Sequence, residues 1–174
     1  IDVNQAPAPA RRRPHRGLAS MAPSELGPSG AEELFRRSVE EYARGDAAAA
    51  AAWCERAAHL GHRGAMSTLG AHYLAGEGVA CDAARAAGWL AKAAEAGDAK
   101  AQCNLAVLLL RGIGLPPDEP AARRWCEAAA RAGEPEGQHN LAQMCLGGLG
   151  GPADPAEARL WLQRAAAQGH ERAQ

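Results

Sequence analysis

The sequence predicts an all-α fold, a right-handed superhelical α/α solenoid of about four two-helix repeats, on three observations. Alanine, the best helix former, fills 44 of the 174 positions, while the β-branched strand formers are scarce, with two Ile and four Val. The four tryptophans, Trp53, Trp89, Trp125 and Trp161, stand 36 residues apart each time. Asp46, Asp82, Asp118 and Asp154 keep the same step, as do Gly61, Gly97, Gly133 and Gly169 and the pairs Ala57-Ala58, Ala93-Ala94, Ala129-Ala130 and Ala165-Ala166. Self-similarity at one period marks a stacked array, because a thin unit cannot bury its apolar stripe alone and must do so against its neighbours.

Taken in order, residues 1–29 hold five Pro and no apolar periodicity, which predicts a disordered Pro/Arg-rich tail or linker ahead of a solenoid spanning 30–174. The run Arg11-Arg12-Arg13-Pro14-His15-Arg16 gives this tail a local positive excess. It is read as solvated linker, since so few arginines give little membrane or nucleic-acid affinity without a second anchor. Units then follow at about 31–64, 65–100, 101–136 and 137–172, with another beginning at 173. The first unit is divergent, turning through Arg44-Gly45-Asp46 where later units have longer glycine loops.

Within each later unit two helices are expected. In the second, Ala101 to Arg111 forms the first helix, closed by Gly112 and Gly114, since glycine adopts the left-handed conformation without a Cβ penalty. Asp118 is placed to cap the second helix, accepting amide protons of its first turn, with Pro120 inside that turn where a missing N–H costs little. This second helix ends at Gly133. The indole of each Trp is expected to fill the gap between helices, with the Ala pair four residues on letting backbones approach.

Composition excludes several classes of function. With 19 basic and 20 acidic residues, no global field favours nucleic acid or an anionic membrane. No apolar run approaches the roughly 18 residues a membrane helix needs. Five scattered cysteines without a C-x-x-C read as small buried residues of the cytoplasm or another reducing compartment; a periplasmic or organellar location is expected only if a leader precedes Ile1.

Catalytic and cofactor chemistry is not expected. The clusters Gly76-Glu77-Gly78, Gly112-Ile113-Gly114 and Gly147 to Gly151 follow helices, whereas a nucleotide fingerprint follows a strand. His59, His62 and Cys54 lie near one another and His72 follows, but none recurs between units as a zinc ligand set would. Serine-hydrolase and metalloprotease motifs are absent, so no catalytic residue, cofactor ligand or metal ligand is assigned.

The pattern Leu69, Gly70, Tyr73, Gly76, Gly78, Val79, Asp82, followed by Ala86, Trp89, Ala93, Ala94 and Gly97, resembles the Sel1-like repeat of the tetratricopeptide superfamily. The resemblance covers residues 65–172 and extends weakly to about Ala31; the last unit departs from it, with Cys145 for Tyr and Gly151 for Val, so a looser loop is expected there. It implies a protein–protein adaptor or scaffold. One cysteine-rich branch of the family is associated with penicillin binding, which makes a penicillin-binding or hydrolase member the alternative, and a structural segment of a longer repeat protein a third reading. The cysteines argue against the branch, because only Cys54 and Cys126 occupy equivalent positions, and these lie two units apart, too far to bond.

Partner contacts are expected on the first helices, where an extended concave face lies in such arrays. The non-repeating positions there are Thr68, Asn104 and Asn140, then His72 with its equivalents Leu108 and Met144, then Arg111. Spaced four and seven apart, they predict one stripe that takes another protein or peptide. Self-association through an uncapped C-terminal end is also expected, with no nucleic acid and no integral membrane segment.

Overall fold

The computed structural model describes residues 28–169, which form eight helices with no strand among them. In chain order they are α1 Pro28–Ala43, α2 Ala47–His59, α3 Arg63–Ala75, α4 Ala83–Glu95, α5 Ala99–Arg111, α6 Glu119–Arg131, α7 Pro135–Gly147 and α8 Pro155–Ala167. Each helix packs on its chain neighbours, and α5 also touches α7, so first helices of successive units lie side by side in one layer of the solenoid. The expected tail falls outside the described residues, apart from its last two positions, which open α1. Among the described residues no helix is long and apolar enough to cross a membrane.

The aspartates at 36-residue spacing cap the second helices. Asp46, Asp82, Asp118 and Asp154 accept from the amides of Ala49, Arg85, Ala121 and Glu157 at 2.8–3.0 Å. The first helices of the later units begin at Arg63, Ala99 and Pro135, each two residues before the expected unit starts at 65, 101 and 137. At Ala99 the cause is a junction in which Gly97, with φ +84°, closes α4 as its N–H reaches the Ala94 carbonyl and that of Asp98 reaches Ala93. Asp98 then caps α5 from Ala101 N–H at 2.8 Å, so one residue ends one helix and starts the next. His62 does the same for α3, its Nδ1 accepting from Ala65 N–H at 3.0 Å.

The second glycine of each loop makes the contact between units. Gly78, Gly114 and Gly150 have φ of +70°, +75° and +68°, and a Cβ on each would overlap the carbonyl of Ala47, Ala83 or Glu119, at the start of the preceding unit's second helix. The last loop keeps this geometry and is not loosened by Cys145 and Gly151. Asp154 N–H bonds the Cys145 carbonyl at 2.8 Å, as Asp118 bonds Leu109, and the Arg123 guanidinium fills the remaining space, donating to the Pro152 carbonyl at 3.2 Å.

The core is built from small and aliphatic groups. Leu34, Leu69, Leu90, Leu141, Met144, Cys54, Cys126 and Cys145 are its largest fully buried side chains. The tryptophans are not among them: all four are half-buried against the core, and the buried position is the residue after the indole, Cys54, Leu90 and Cys126 in the first three units. Expectation placed the indoles between helices. They sit at the rim, where Arg56 lies over Trp53, Lys92 over Trp89 and Arg164 over Trp161, at 4.3–5.1 Å from the ring centroid. Buried glutamines tie units together, Gln102 donating to the Ala94 carbonyl and Gln138 to that of Ala130, at 3.1 and 3.3 Å.

Candidate partner-binding surface

The predicted stripe divides on the structure. Asn104 and Arg111 are exposed on α5, while Thr68 on α3 and Asn140 on α7 are half-buried. The Nδ2 of Asn140 is buried without a hydrogen-bond partner among the described residues. His72 is not a surface residue: it is 5% exposed, and its equivalents Leu108 and Met144 are 3% and 1% exposed. The reason is helix geometry, since residues four apart lie about 40° apart on the cylinder, enough to rotate this position into the contact with the preceding first helix. The exposed position is one residue earlier, held by Ala71 and Gln143, with half-buried Val107 between them. Failure to repeat does not tell the two positions apart, since Ala71, Val107 and Gln143 differ between units as His72, Leu108 and Met144 do; only the burial of the latter distinguishes them.

Thr68 and His72 are nevertheless brought together, in a cavity of about 250 Å³ between α1 and α3 that is also lined by Phe35, Ser38, Val39, Tyr42, Ala71 and Glu77. His72 Nδ1 lies 3.6 Å from a Glu77 carboxylate oxygen, too long for a hydrogen bond, and Tyr42 O–H donates to that oxygen at 3.3 Å.

The histidines and cysteine near one another on α2 and at the cap of α3 make packing and capping contacts. His62 stacks on Phe35 at 4.5 Å between ring centroids and, with Nδ1 used as the cap acceptor, presents Nε2–H to Glu32 at 2.8 Å. His59 meets Trp89 edge-on, and Cys54 donates its thiol to the Ala65 carbonyl at 3.2 Å. Among the described residues no three His, Cys, Asp or Glu side chains converge as metal ligands. All five cysteines are free. Burial pushes the Cys54 thiol up to about 11 and those of Cys103 and Cys126 up to about 12. Burial also raises Cys145, against the opposing pull of Arg123, so these thiols are protonated packing groups and poor nucleophiles.

The Sel1 repeat matches this chain at residues 31–62, 64–98, 99–134 and 135–170. Each match begins within a first helix or beside its cap and ends beyond the second helix, reproducing the four helix pairs. A search of the curated proteins returns no match. Among solved structures, c5321, described as a protective antigen present in uropathogenic Escherichia coli strains and displaying an SLR fold, is similar with a TM-score of 0.76 and 32% identity, over 86% of this chain and 34% of that one. A Sel1 repeat protein from Oxalobacter formigenes is similar with a TM-score of 0.75 and 28% identity, over 80% of this chain and 56% of that one. This chain thus spans about a third and just over half of these two proteins. Four consecutive matched units, each coinciding with a capped helix pair, establish that the chain belongs to the Sel1 repeat family, whose members generally mediate protein–protein interaction.

Proposed function

We propose that this chain is a non-catalytic scaffold that binds a protein or peptide along the face formed by its first helices. The observation that carries this reading is the row of exposed and half-buried side chains on successive first helices, Thr68 and Ala71, then Asn104, Val107 and Arg111, then Asn140 and Gln143, set on a frame of buried packing residues. Asn side chains offer both donors and acceptors and so pair with an extended backbone with little sequence preference. Burial that keeps Cys54, Cys103 and Cys126 protonated argues against a cysteine nucleophile among these three. The test is Asn104→Ala with Asn140→Ala in one chain. Losing two hydrogen bonds is expected to weaken partner capture about tenfold with the melting temperature little changed. Unaltered capture removes this face from consideration.

One observation favours a second reading, self-association through the outer face of α8. Leu162 and Ala166 are half-buried on α8, where their equivalents Leu90 and Ala94 are 0% and 2% exposed beneath the next unit. Sedimentation of the wild type and of Leu162→Glu tests it, since a self-associating end face gives a concentration-dependent dimer in the first and a monomer in the second.

A further inference from the structure

The junction of α1 and α3 differs from those that follow. Four residues beyond the buried leucine of each first helix, Leu34, Leu69 or Leu105, the second and third units carry Tyr73 and Leu109, both buried, whereas the first carries Ser38. The smaller side chain leaves the cavity of about 250 Å³. That volume falls below the roughly 300–1,000 Å³ of small-molecule sites and suits a single side chain. Its walls are mostly apolar, and two of them, Val39 and Tyr42, are large side chains left 55% and 52% exposed at the opening.

Two polar groups accompany this apolar opening. His72 lines the cavity, 5% exposed, and its Nδ1 is buried without a hydrogen bond. Glu77 stands at the rim with a half-exposed side chain, and among the described residues no lysine or arginine pairs with it. Three of the four acidic groups of neighbouring α1 are in a different state, since Glu33, Glu40 and Glu41 are each held by Arg36, Arg37 or Arg44, while Glu32 meets His62. A half-exposed carboxylate with no lysine or arginine partner beside an apolar hole is complementary to a cation beside an apolar group.

We propose that this cavity is an anchor site for a partner segment in which one apolar side chain, of the size of Leu, Met or Phe, enters between α1 and α3 while an adjacent Lys or Arg pairs with Glu77. The proposal rests on the reading of the first-helix face as the binding face and names what that face selects at its N-terminal end.

The experiment pans a phage-displayed random peptide library against the full 174-residue chain and measures the affinity of the enriched peptides. Enrichment of an apolar residue next to Lys or Arg is expected. Ser38→Leu, which fills the cavity from its floor, is expected to weaken these peptides about tenfold or more. Glu77→Gln is expected to weaken the basic peptides about two- to fivefold and leave versions with Gln in place of the basic residue unchanged. Should Ser38→Leu not fold, Val39→Ser at the exposed opening gives the same readout. Peptides that ignore all these changes but are lost on Asn104→Ala with Asn140→Ala overturn the anchor site and leave the scaffold reading standing. Peptides insensitive to every one of them overturn both. Displacement by a synthetic peptide of residues 11–21, stronger than by the selected peptides themselves, assigns the cavity to the chain's own N-terminal segment and overturns the external partner.

Discussion

Gly114→Ala measures how far the array depends on backbone contact between units. Gly114 holds φ +75°, and a Cβ there would overlap the Ala83 carbonyl at the start of α4, in the preceding unit. Gly133, at the end of α6, holds φ +88° with nothing within 4 Å of the added atom. Both substitutions place an L-residue in the left-handed region, which costs about 1–2 kcal/mol. Gly114→Ala must in addition lift the loop off α4, an overpacking cost of about 1–3 kcal/mol. The expected destabilisation is therefore about 1–2 kcal/mol for Gly133→Ala and about 2–5 kcal/mol for Gly114→Ala. At about 2–4 °C per kcal/mol for a chain of this size, Gly114→Ala melts about 2–12 °C below the control. Because neighbouring units are coupled through such interfaces, the urea m-value also falls as the array unfolds in less cooperative pieces. Far-UV circular dichroism during urea and thermal unfolding reads both quantities. Equal destabilisation by the two alanines refutes the reasoning, for the contact between units would then contribute nothing beyond φ.

Two further outcomes follow from caps and thiols. Asp118→Ala removes a cap bond of 2.8 Å and is expected to cost about 1 kcal/mol, whereas Glu134→Ala, at a cap position whose side chain makes no such bond, stays within about 0.5 kcal/mol by urea denaturation. Burial holds the thiols of Cys103 and Cys126 up to about 12, against an ordinary 9.0. Above the ordinary value the unfolded thiols ionise while the folded ones stay protonated, so stability present below that pH is lost as pH rises towards the folded values. The loss is at most about 1.4 kcal/mol per pH unit for each thiol. Urea midpoints across this range are expected to fall less steeply for Cys103→Ala with Cys126→Ala than for the wild type, and parallel curves would contradict the burial assigned to these groups.

The architecture was legible because packing constraints repeat. An Asp that caps, a Gly that turns and an Ala pair that admits a neighbouring backbone are needed once per unit, so Asp82, Gly97 and Ala93-Ala94 write the period into the chain. What was not legible depends on rotation about a helix axis and on side-chain reach. The sequence makes Trp89 the expected filler between helices, yet Leu90 takes the buried site, and the larger indole lies at the rim where Lys92 covers it. His72 resembled a surface residue because it does not repeat, but Leu108 and Met144 at its position are apolar, which is the pattern of a contact that varies in size while remaining buried. The caps of the first helices keep the same 36-residue step at His62, Asp98 and Glu134, but the residue type changes each time, which hides the position in the sequence although His62 and Asp98 accept an amide proton in the manner of Asp118. The cavity beside Ser38 depends on α1, the least regular helix in sequence, and only the placement of α3 against it reveals the space.

The central claim, that partners are held on the face of the first helices, is tested most directly by backbone NMR shift mapping of the chain with a selected peptide. The account predicts shifts concentrated at Thr68, Ala71, Asn104, Val107, Arg111 and Gln143, on α3, α5 and α7. Shifts centred instead on Trp89, Lys92, Arg124 and Arg131, on the second helices α4 and α6, would contradict it.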